Sequence, residues 1–227
     1  MIDGIRLKVC GLTSLVDAEF ADKCGADYLG FILYPKSPRF ISLTQFKAMR
    51  ARLPDRRKVA VSVEPTLEEL EAMSDAGFDF FQIHFRLETP VEQLTAWSRL
   101  VGEKRLWLAP KLPPGADVPP AALAVAKFIL FDTFHKEGFG GSGKTGDWAN
   151  FARHQAAHRG NFWILAGGLN PENIGEAIAQ ASPRLVDVNS GVESAPGVKD
   201  ETKLKAFVVA LHKAMLSRAA SRLPEVP

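Results

Sequence analysis

The feature that most constrains the fold of this chain is a regular alternation of short apolar runs with longer amphipathic segments. Most of the runs consist almost wholly of Val, Ile, Leu and Phe. Parallel strands have this composition when helices cover one face of the sheet and packed side chains fill the other. The sequence predicts strands at Arg6–Leu12, Asp27–Tyr34, Lys58–Val63, Asp79–His84, Arg105–Pro110, Phe128–Thr133, Phe162–Ala166 and Leu185–Asn189.

The segments between the runs contain helix start and stop signals. Thr66 begins a capping box that Glu69 completes, and Gly77 follows as a left-handed stop. Asn170 stands before Pro171, which is the order of an N-cap residue and a first-turn proline. The predicted helices are Ser14–Lys23, Leu43–Leu53, Thr66–Asp75, Thr89–Val101, Pro119–Ala126, Asp147–His158, Asn170–Gln180 and about 199–218.

This order of elements predicts an α/β fold with a parallel sheet. Helical crossovers connect parallel neighbours, and eight strand–helix units without a linker or a change in composition favour closure into a barrel. We therefore predict a single-domain (β/α)8 TIM barrel over residues 1–227, with 217–227 as a frayed tail. An open doubly wound sheet alternates in the same way and is the alternative architecture.

Charge and composition restrict the partners. The 28 Lys and Arg residues nearly balance the 26 Asp and Glu residues, which gives no basic stripe for nucleic acid or a membrane surface. Two cysteines are too few for a disulfide scaffold and indicate a reducing compartment. The start of the chain lacks the pattern of a signal peptide. We expect a soluble cytoplasmic protein with a small-molecule substrate and no obligatory protein partner.

Polar residues follow several of the predicted strands. Cys10 ends the first strand, His84 the fourth and Asp132 the sixth, while glycine-rich turns follow the last two. The carboxyl ends of parallel barrel strands meet on one face, where barrel enzymes place their active sites. A barrel with a purely structural role would not need reactive groups from several strands on this rim, so the pattern favours an enzyme.

Six blocks, in order over nearly the whole chain, resemble the phosphoribosylanthranilate isomerase family. The blocks are 8–13 (KVCGLT), 34–39 (YPKSPR), 132–133 (DT), 140–145 (GGSGKT), 166–169 (AGGL) and 187–193 (DVNSGVE). The resemblance implies an aldose–ketose isomerase of tryptophan biosynthesis, without a metal or organic cofactor. Its reaction would be the Amadori rearrangement of N-(5-phosphoribosyl)anthranilate to 1-(2-carboxyphenylamino)-1-deoxyribulose 5-phosphate.

The resemblance also implies roles for individual residues. It makes Cys10 the general base and Asp132 the general acid, and it places other blocks around the substrate. Arg39, which two prolines present on a stiff loop, suits a bidentate contact with the anthranilate carboxylate. Further expected substrate contacts are His84, Ser142, Gly143 and Asp187. Turns that offer backbone N–H groups to the phosphate are expected at Gly167, Gly168, Asn189, Ser190 and Gly191.

These roles fit the chemistry of the reaction. A proton delivered to the ring oxygen opens the furanose to an iminium, and a base then removes the proton from C2. A thiolate can be that base when its pKa lies near neutrality, and Lys8, two residues before Cys10, could assist. Asp132 has to stay protonated, which requires partial burial or a negative charge nearby.

Other readings of the sequence remain open. Gly138–Thr145 matches the P-loop pattern G-x-x-x-x-G-K-T, although no strand with a suitable metal-binding Asp follows it. Around the fourth strand, Phe85 stands where the family has glycine, and we expect it to reshape the mouth of the site. A related phosphosugar substrate, with a carboxamide or second phosphate near Phe85 and Pro110, is therefore an alternative. A phosphate-binding barrel without catalysis would need neither Cys10 nor Asp132.

Overall fold

The computed structural model describes residues 1–132 and 147–220, and these form a closed barrel of eight parallel strands. The strands follow one another around the barrel in chain order, and the first pairs with the last. They are β1 (Arg6–Val9), β2 (Tyr28–Ile32), β3 (Arg57–Val63), β4 (Phe80–Phe85), β5 (Leu106–Pro110), β6 (Phe128–Phe131), β7 (Phe162–Leu165) and β8 (Leu185–Val188). The closed barrel confirms the predicted fold class and excludes the open sheet.

Helices follow the strands and cover the outside of the barrel. They are α1 (Leu15–Lys23), α2 (Leu43–Arg50), α3 (Leu67–Asp75), α4 (Val91–Val101), α5 (Pro120–Val125), α6 (Trp148–Ala157), α7 (Ile174–Ala181) and α8 (Glu201–Ala220). A short antiparallel pair, β9 (Glu193–Ala195) and β10 (Val198–Lys199), precedes α8. None of the helices in the described ranges is long and apolar enough to cross a membrane.

Two separate apolar clusters stabilise this arrangement. The larger lies between the sheet and the helices and includes Phe31, Phe46 and Trp97. The smaller includes Val61, Trp107, Leu130 and Ile164 and fills the inside of the barrel. Because successive side chains of a strand point to opposite faces, most strands contribute to both clusters. The inner cluster also contains Cys10, so the packing of the barrel interior fixes the position of this thiol.

Local signals set the ends of several helices as predicted. Thr66 caps α3, with reciprocal hydrogen bonds between Thr66 and Glu69 that form the predicted capping box. The regular part of α7 begins at Ile174, later than the predicted start at Asn170. The Asn170 side chain nevertheless accepts hydrogen bonds from the backbone N–H groups of Glu172 and Asn173, which is the pattern of the predicted N-cap, and the first turn after it is irregular.

Two further expectations need correction. Phe85 does not reshape the mouth of the site, since it is the last residue of β4, points outward and packs edge-on against Trp97 of α4. Pro110 ends β5 and is likewise buried. The predicted frayed tail is wrong for residues 217–220, which belong to α8, and residues 221–227 lie outside the described ranges.

Candidate active site

A polar cavity opens at the carboxyl ends of the barrel strands. Its empty volume, including the open mouth, is about 700 Å³. Eight of the predicted site residues line it together, although they come from five different strand ends. They are Cys10, His84, Asp132, Gly167, Gly168, Asp187, Asn189 and Ser190. The predicted convergence on one rim is therefore present.

Cys10 lies beside a buried ion pair. The Lys8 Nζ atom donates to Asp187 Oδ2 at 2.6 Å, and the two residues are register partners across the β1–β8 seam. Burial acts to lower the pKa of Lys8, but Asp187 and Cys10 outweigh it and raise that pKa, so Lys8 is a cation at neutral pH. Burial raises the pKa of the Cys10 thiol, and the Lys8 charge opposes the rise. Burial also raises the pKa of Asp187, again against Lys8.

Arg39 does not itself line the cavity, and its guanidinium is held by Glu193. Its Nε and Nη2 atoms donate to the two carboxylate oxygens of Glu193 at 2.9 and 2.7 Å, in a bidentate arrangement. Lys199 Nζ donates to Glu193 at 2.8 Å and to Asn189 Oδ1 at 2.9 Å. Burial opposes ionisation of Glu193, but Arg39 and Lys199 prevail and lower its pKa. This network ties the loop after β2 to the segment after β8.

His84 lines the cavity in its neutral form. Burial, together with the charge of Lys8, lowers its pKa to about 4. Its Nε2 atom lies 2.8 Å from the side-chain nitrogen of Gln82, two residues earlier on the same face of β4. A neutral imidazole offers one donor and one acceptor nitrogen, so His84 can form this hydrogen bond with either orientation of the Gln82 amide. Neutral His84 can therefore position a substrate but adds no positive charge to the cavity.

The turns after β7 and β8 shape the opposite side of the cavity. Gly167 and Gly168 both have positive φ, at 87° and 63°, a conformation that glycine adopts without strain. Gly191 has a different requirement, because a Cβ atom there would lie 2.0 Å from the carbonyl oxygen of Leu169. The turn after β8 thus packs directly onto the turn after β7, and Gly191 permits that approach without itself lining the cavity.

Two predicted substrate contacts, Ser142 and Gly143, lie outside the described residues, as does the P-loop-like segment 138–145. Asp132 follows β6 and is the last residue described before that gap. Its side chain is partly exposed and lines the cavity. Cys10 and Asp132 therefore approach one cavity from two strand ends that are not neighbours in the sheet.

Several residues that build the site were not predicted from the sequence. Glu193 appeared only within the block 187–193, Lys199 only at the start of the last predicted helix, and Gln82 only within the fourth predicted strand. Glu193 and Lys199 are both buried and are register partners in the β9–β10 pair. No strong sequence pattern predicts this pair of short strands. The signal that could have identified Gln82 is its position two residues before His84, since strand residues at this spacing share a face.

The closed parallel barrel and the polar cavity at its strand ends define a (β/α)8-barrel enzyme. A sequence model of the family "N-(5'phosphoribosyl)anthranilate (PRA) isomerase" matches residues 7–210. The N-(5'-phosphoribosyl)anthranilate isomerase of Aquifex aeolicus is 37% identical over 208 residues, which cover 90% of this chain and 97% of that protein. The enzyme of the same name from Pseudomonas putida KT2440 is 38% identical and covers 94% of this chain and 100% of that protein.

Solved structures agree with this relationship. The phosphoribosyl anthranilate isomerase of Thermus thermophilus has a TM-score of 0.76 at 35% identity, covering 92% of this chain and 99% of that one. A family structure in complex with reduced 1-(o-carboxyphenylamino)-1-deoxyribulose 5-phosphate has a TM-score of 0.71 at 33% identity, with the same coverage. The chain belongs to the N-(5'-phosphoribosyl)anthranilate isomerase family, and its family is one of aldose–ketose isomerases.

Proposed function

We propose that this protein converts N-(5-phosphoribosyl)anthranilate to 1-(2-carboxyphenylamino)-1-deoxyribulose 5-phosphate, the isomerisation of tryptophan biosynthesis. The observation that carries the proposal is that Cys10 and Asp132 line one cavity together with the glycine turns after β7 and β8. A relative with the same fold is known in complex with the reduced product, which fits a phosphorylated aromatic substrate.

The phosphate end of the substrate is assigned to the turns after β7 and β8. Gly167 and Gly168 can bring backbone N–H groups close to an anion because they have no side chain, and Asn189 and Ser190 of the adjoining turn line the same cavity. Barrel enzymes often bind phosphate between these two turns. Lys199, which contacts the Asn189 side chain, adds a buried positive charge behind them.

The two proton transfers are assigned to Asp132 and Cys10. Asp132, in its acid form, donates its proton to the ring oxygen, and the C1–O bond breaks as the nitrogen lone pair forms the iminium. The Cys10 thiolate then takes the proton from C2, and the electrons of that C–H bond form the C1–C2 double bond of an enolamine. Protonation of the enolamine at C1 and loss of the proton from its C2 hydroxyl give the aminoketose. The net proton count returns Cys10 to the thiolate and Asp132 to the acid, so atoms and charge balance without an oxidant or reductant.

The carboxylate of the anthranilate ring is assigned to Arg39. Glu193 holds the guanidinium by two hydrogen bonds and so fixes its orientation before the substrate arrives. A guanidinium that is already oriented loses less conformational freedom when it binds a carboxylate. His84, neutral and partly exposed in the cavity, and Asp187 are assigned to the sugar.

The test is a fluorescence assay on phosphoribosylanthranilate made in situ, with a metal chelator present throughout. We expect wild-type turnover that Cys10→Ala and Asp132→Asn each reduce by about 100-fold or more, as for removal of a general acid or base. Cys24→Ala and Asp75→Asn are matched controls, because Cys24 lies in the outer apolar cluster and Asp75 is exposed at the end of α3. Wild type without turnover would refute the proposed substrate, and full activity in either site variant would refute that residue's role.

A further inference from the structure

Lys8 carries a buried charge, and the proton transfers proposed above assign it no role. Its side chain has a relative exposure of 0%, inside a barrel whose interior below the cavity is filled mainly by apolar residues. Burying an ammonium costs several kcal/mol unless a partner and further hydrogen bonds compensate for the lost hydration. A pair of well-packed apolar residues would often stabilise a protein as well or better. The position therefore calls for an explanation beyond stability.

The surroundings of Lys8 connect it to Cys10. Lys8 lies in β1 and Cys10 directly follows that strand. Because the two residues are two positions apart, their side chains both point into the barrel. A Cβ atom at Gly30 on β2 would lie 2.9 Å from Lys8 Cε and 3.0 Å from Cys10 Sγ. Glycine at this position leaves a single space in which the lysine stem and the thiol lie next to each other.

The partner of Lys8 also opens onto the site. Asp187 binds the ammonium through Oδ2, while its Oδ1 atom is buried and has no hydrogen-bond partner among the residues that the structure describes. Asp187 lines the same cavity as Cys10. A pair that served only to close the seam between β1 and β8 would be expected to satisfy both carboxylate oxygens. The ion pair is thus part of the site's wall.

We propose that Lys8 is a positioning residue whose ammonium, fixed by Asp187, holds the Cys10 sulfur in place and stabilises it as a thiolate. The inference rests on the proposed function, in which Cys10 is the base. In the resting cavity, burial disfavours the thiolate and Lys8 is the main group that favours it. Removal of the ammonium therefore makes Cys10 a weaker acid and leaves less of the base available at neutral pH.

Other charged groups face this position and enter the balance. Asp187 on β8 disfavours the thiolate, and Lys199 on β10 favours it less than Lys8 does. His84 on β4 is neutral near pH 7 and Asp132 after β6 faces the same cavity. Because the contribution of Lys8 exceeds that of Lys199, Lys199 cannot replace it.

The test measures the alkylation rate of Cys10 by iodoacetamide as a function of pH, with each cysteine followed separately by peptide mass spectrometry. The proteins are wild type, Lys8→Met and the double variant Lys8→Met/Asp187→Asn. Lys8→Met should shift the midpoint for Cys10 upward by about one pH unit or more, so that the rate near neutral pH falls about 10-fold. The double variant leaves no unpaired buried carboxylate, so it keeps the test valid if Lys8→Met alone does not fold. Its Cys10 midpoint should shift in the same direction but by less.

Cys24 provides the internal control. It lies outside the barrel in the helix layer, so its alkylation should not change if Lys8 acts locally. A midpoint for Cys10 that is unchanged in both folded variants would overturn the inference and leave the ion pair as a seam contact. A parallel upward shift in the pH profile of kcat would support it further, because a merely structural role would not move that profile.

The two proposals can fail separately. The alkylation experiment needs no substrate, so an inactive wild type with the predicted alkylation shift would refute the proposed reaction while the coupling of Lys8 to Cys10 stands. An active wild type whose Cys10 midpoint does not respond to Lys8→Met would refute only the role of Lys8.

Discussion

Gly191→Ala is the substitution that most directly tests how the phosphate side of the cavity is built. The added Cβ would lie 2.0 Å from the carbonyl oxygen of Leu169 and 2.9 Å from its carbonyl carbon. Ordinary contacts of this kind are at least 3.4 Å. Both obstructing atoms belong to the backbone, so no side-chain rotation can relieve the clash. The turns after β7 and β8 have to separate by more than 1 Å, since 3.4 − 2.0 = 1.4 Å.

The size of the effect follows from this displacement. Overpacking a well-packed region typically costs about 1–3 kcal/mol, and a backbone obstruction belongs at the upper end of that range. For a chain of this length, about 3 kcal/mol corresponds to a fall in Tm of roughly 6–12 °C. Displacing the phosphate turns by about 1 Å should also lower kcat/KM by about 100-fold.

The assays are thermal unfolding, steady-state kinetics and the binding of inorganic phosphate as a probe of the turns. Gly175→Ala is the matched control, because Gly175 lies in the first turn of α7 and a Cβ there meets nothing within 4 Å. In a helix the change from glycine to alanine stabilises by up to about 1 kcal/mol. If Gly191→Ala behaved like Gly175→Ala in stability and in phosphate affinity, the reasoning about packed turns would be refuted.

Three further predictions concern pH, the carboxylate end and a helix cap. The pKa of His84 is lowered from 6.5 to about 4, so between these pH values the unfolded chain binds more protons than the folded protein. The free energy of unfolding in urea should therefore fall as the pH drops from 6.5 to 4. His84→Asn should make this free energy less dependent on pH. A lysine at position 39 cannot engage both oxygens of Glu193, so Arg39→Lys should raise KM about 10-fold with a smaller change in kcat. Glu193→Gln should shift KM in the same direction. An unchanged KM in both variants would contradict the assignment of Arg39 to the substrate carboxylate. Thr66→Ala removes the cap of α3 and should cost about 1 kcal/mol in urea unfolding without a change in KM.

The fold was predictable because local signals and the global pattern agree. Buried strands require continuous apolar runs and covering helices require capped amphipathic ones, and both patterns repeat along the chain. The errors arose where two local readings competed. Asn170 makes the hydrogen bonds of an N-cap, but the turn that follows it is irregular and α7 proper begins only at Ile174, a difference that the start signal alone does not specify. Phe85 extends the strand by one residue, because its ring gains more from packing on Trp97 than from lying in a loop.

The residues of the site were less predictable than the reaction class. Strand ends indicate which side chains reach the rim, but not which of them pair there. That Lys8 meets Asp187 depends on the register of β1 against β8, which only the closed barrel fixes. That Arg39 meets Glu193 depends on where the loop after β2 and the segment after β8 come together. No local pattern in the sequence specifies either distance.

These pairings share a property that links folding to activity. Lys8 and Asp187 are 179 residues apart in the chain, and Arg39 and Glu193 are 154 apart. Thr13 binds the carbonyl of Gly197 across 184 residues, close to the same seam. Each contact joins the first quarter of the barrel to the last, so the charges around Cys10 assemble only when β8 closes against β1. A partly formed barrel would hold Lys8 without its carboxylate, so the arrangement of Lys8, Asp187 and Cys10 that we propose for the base exists only in the closed barrel.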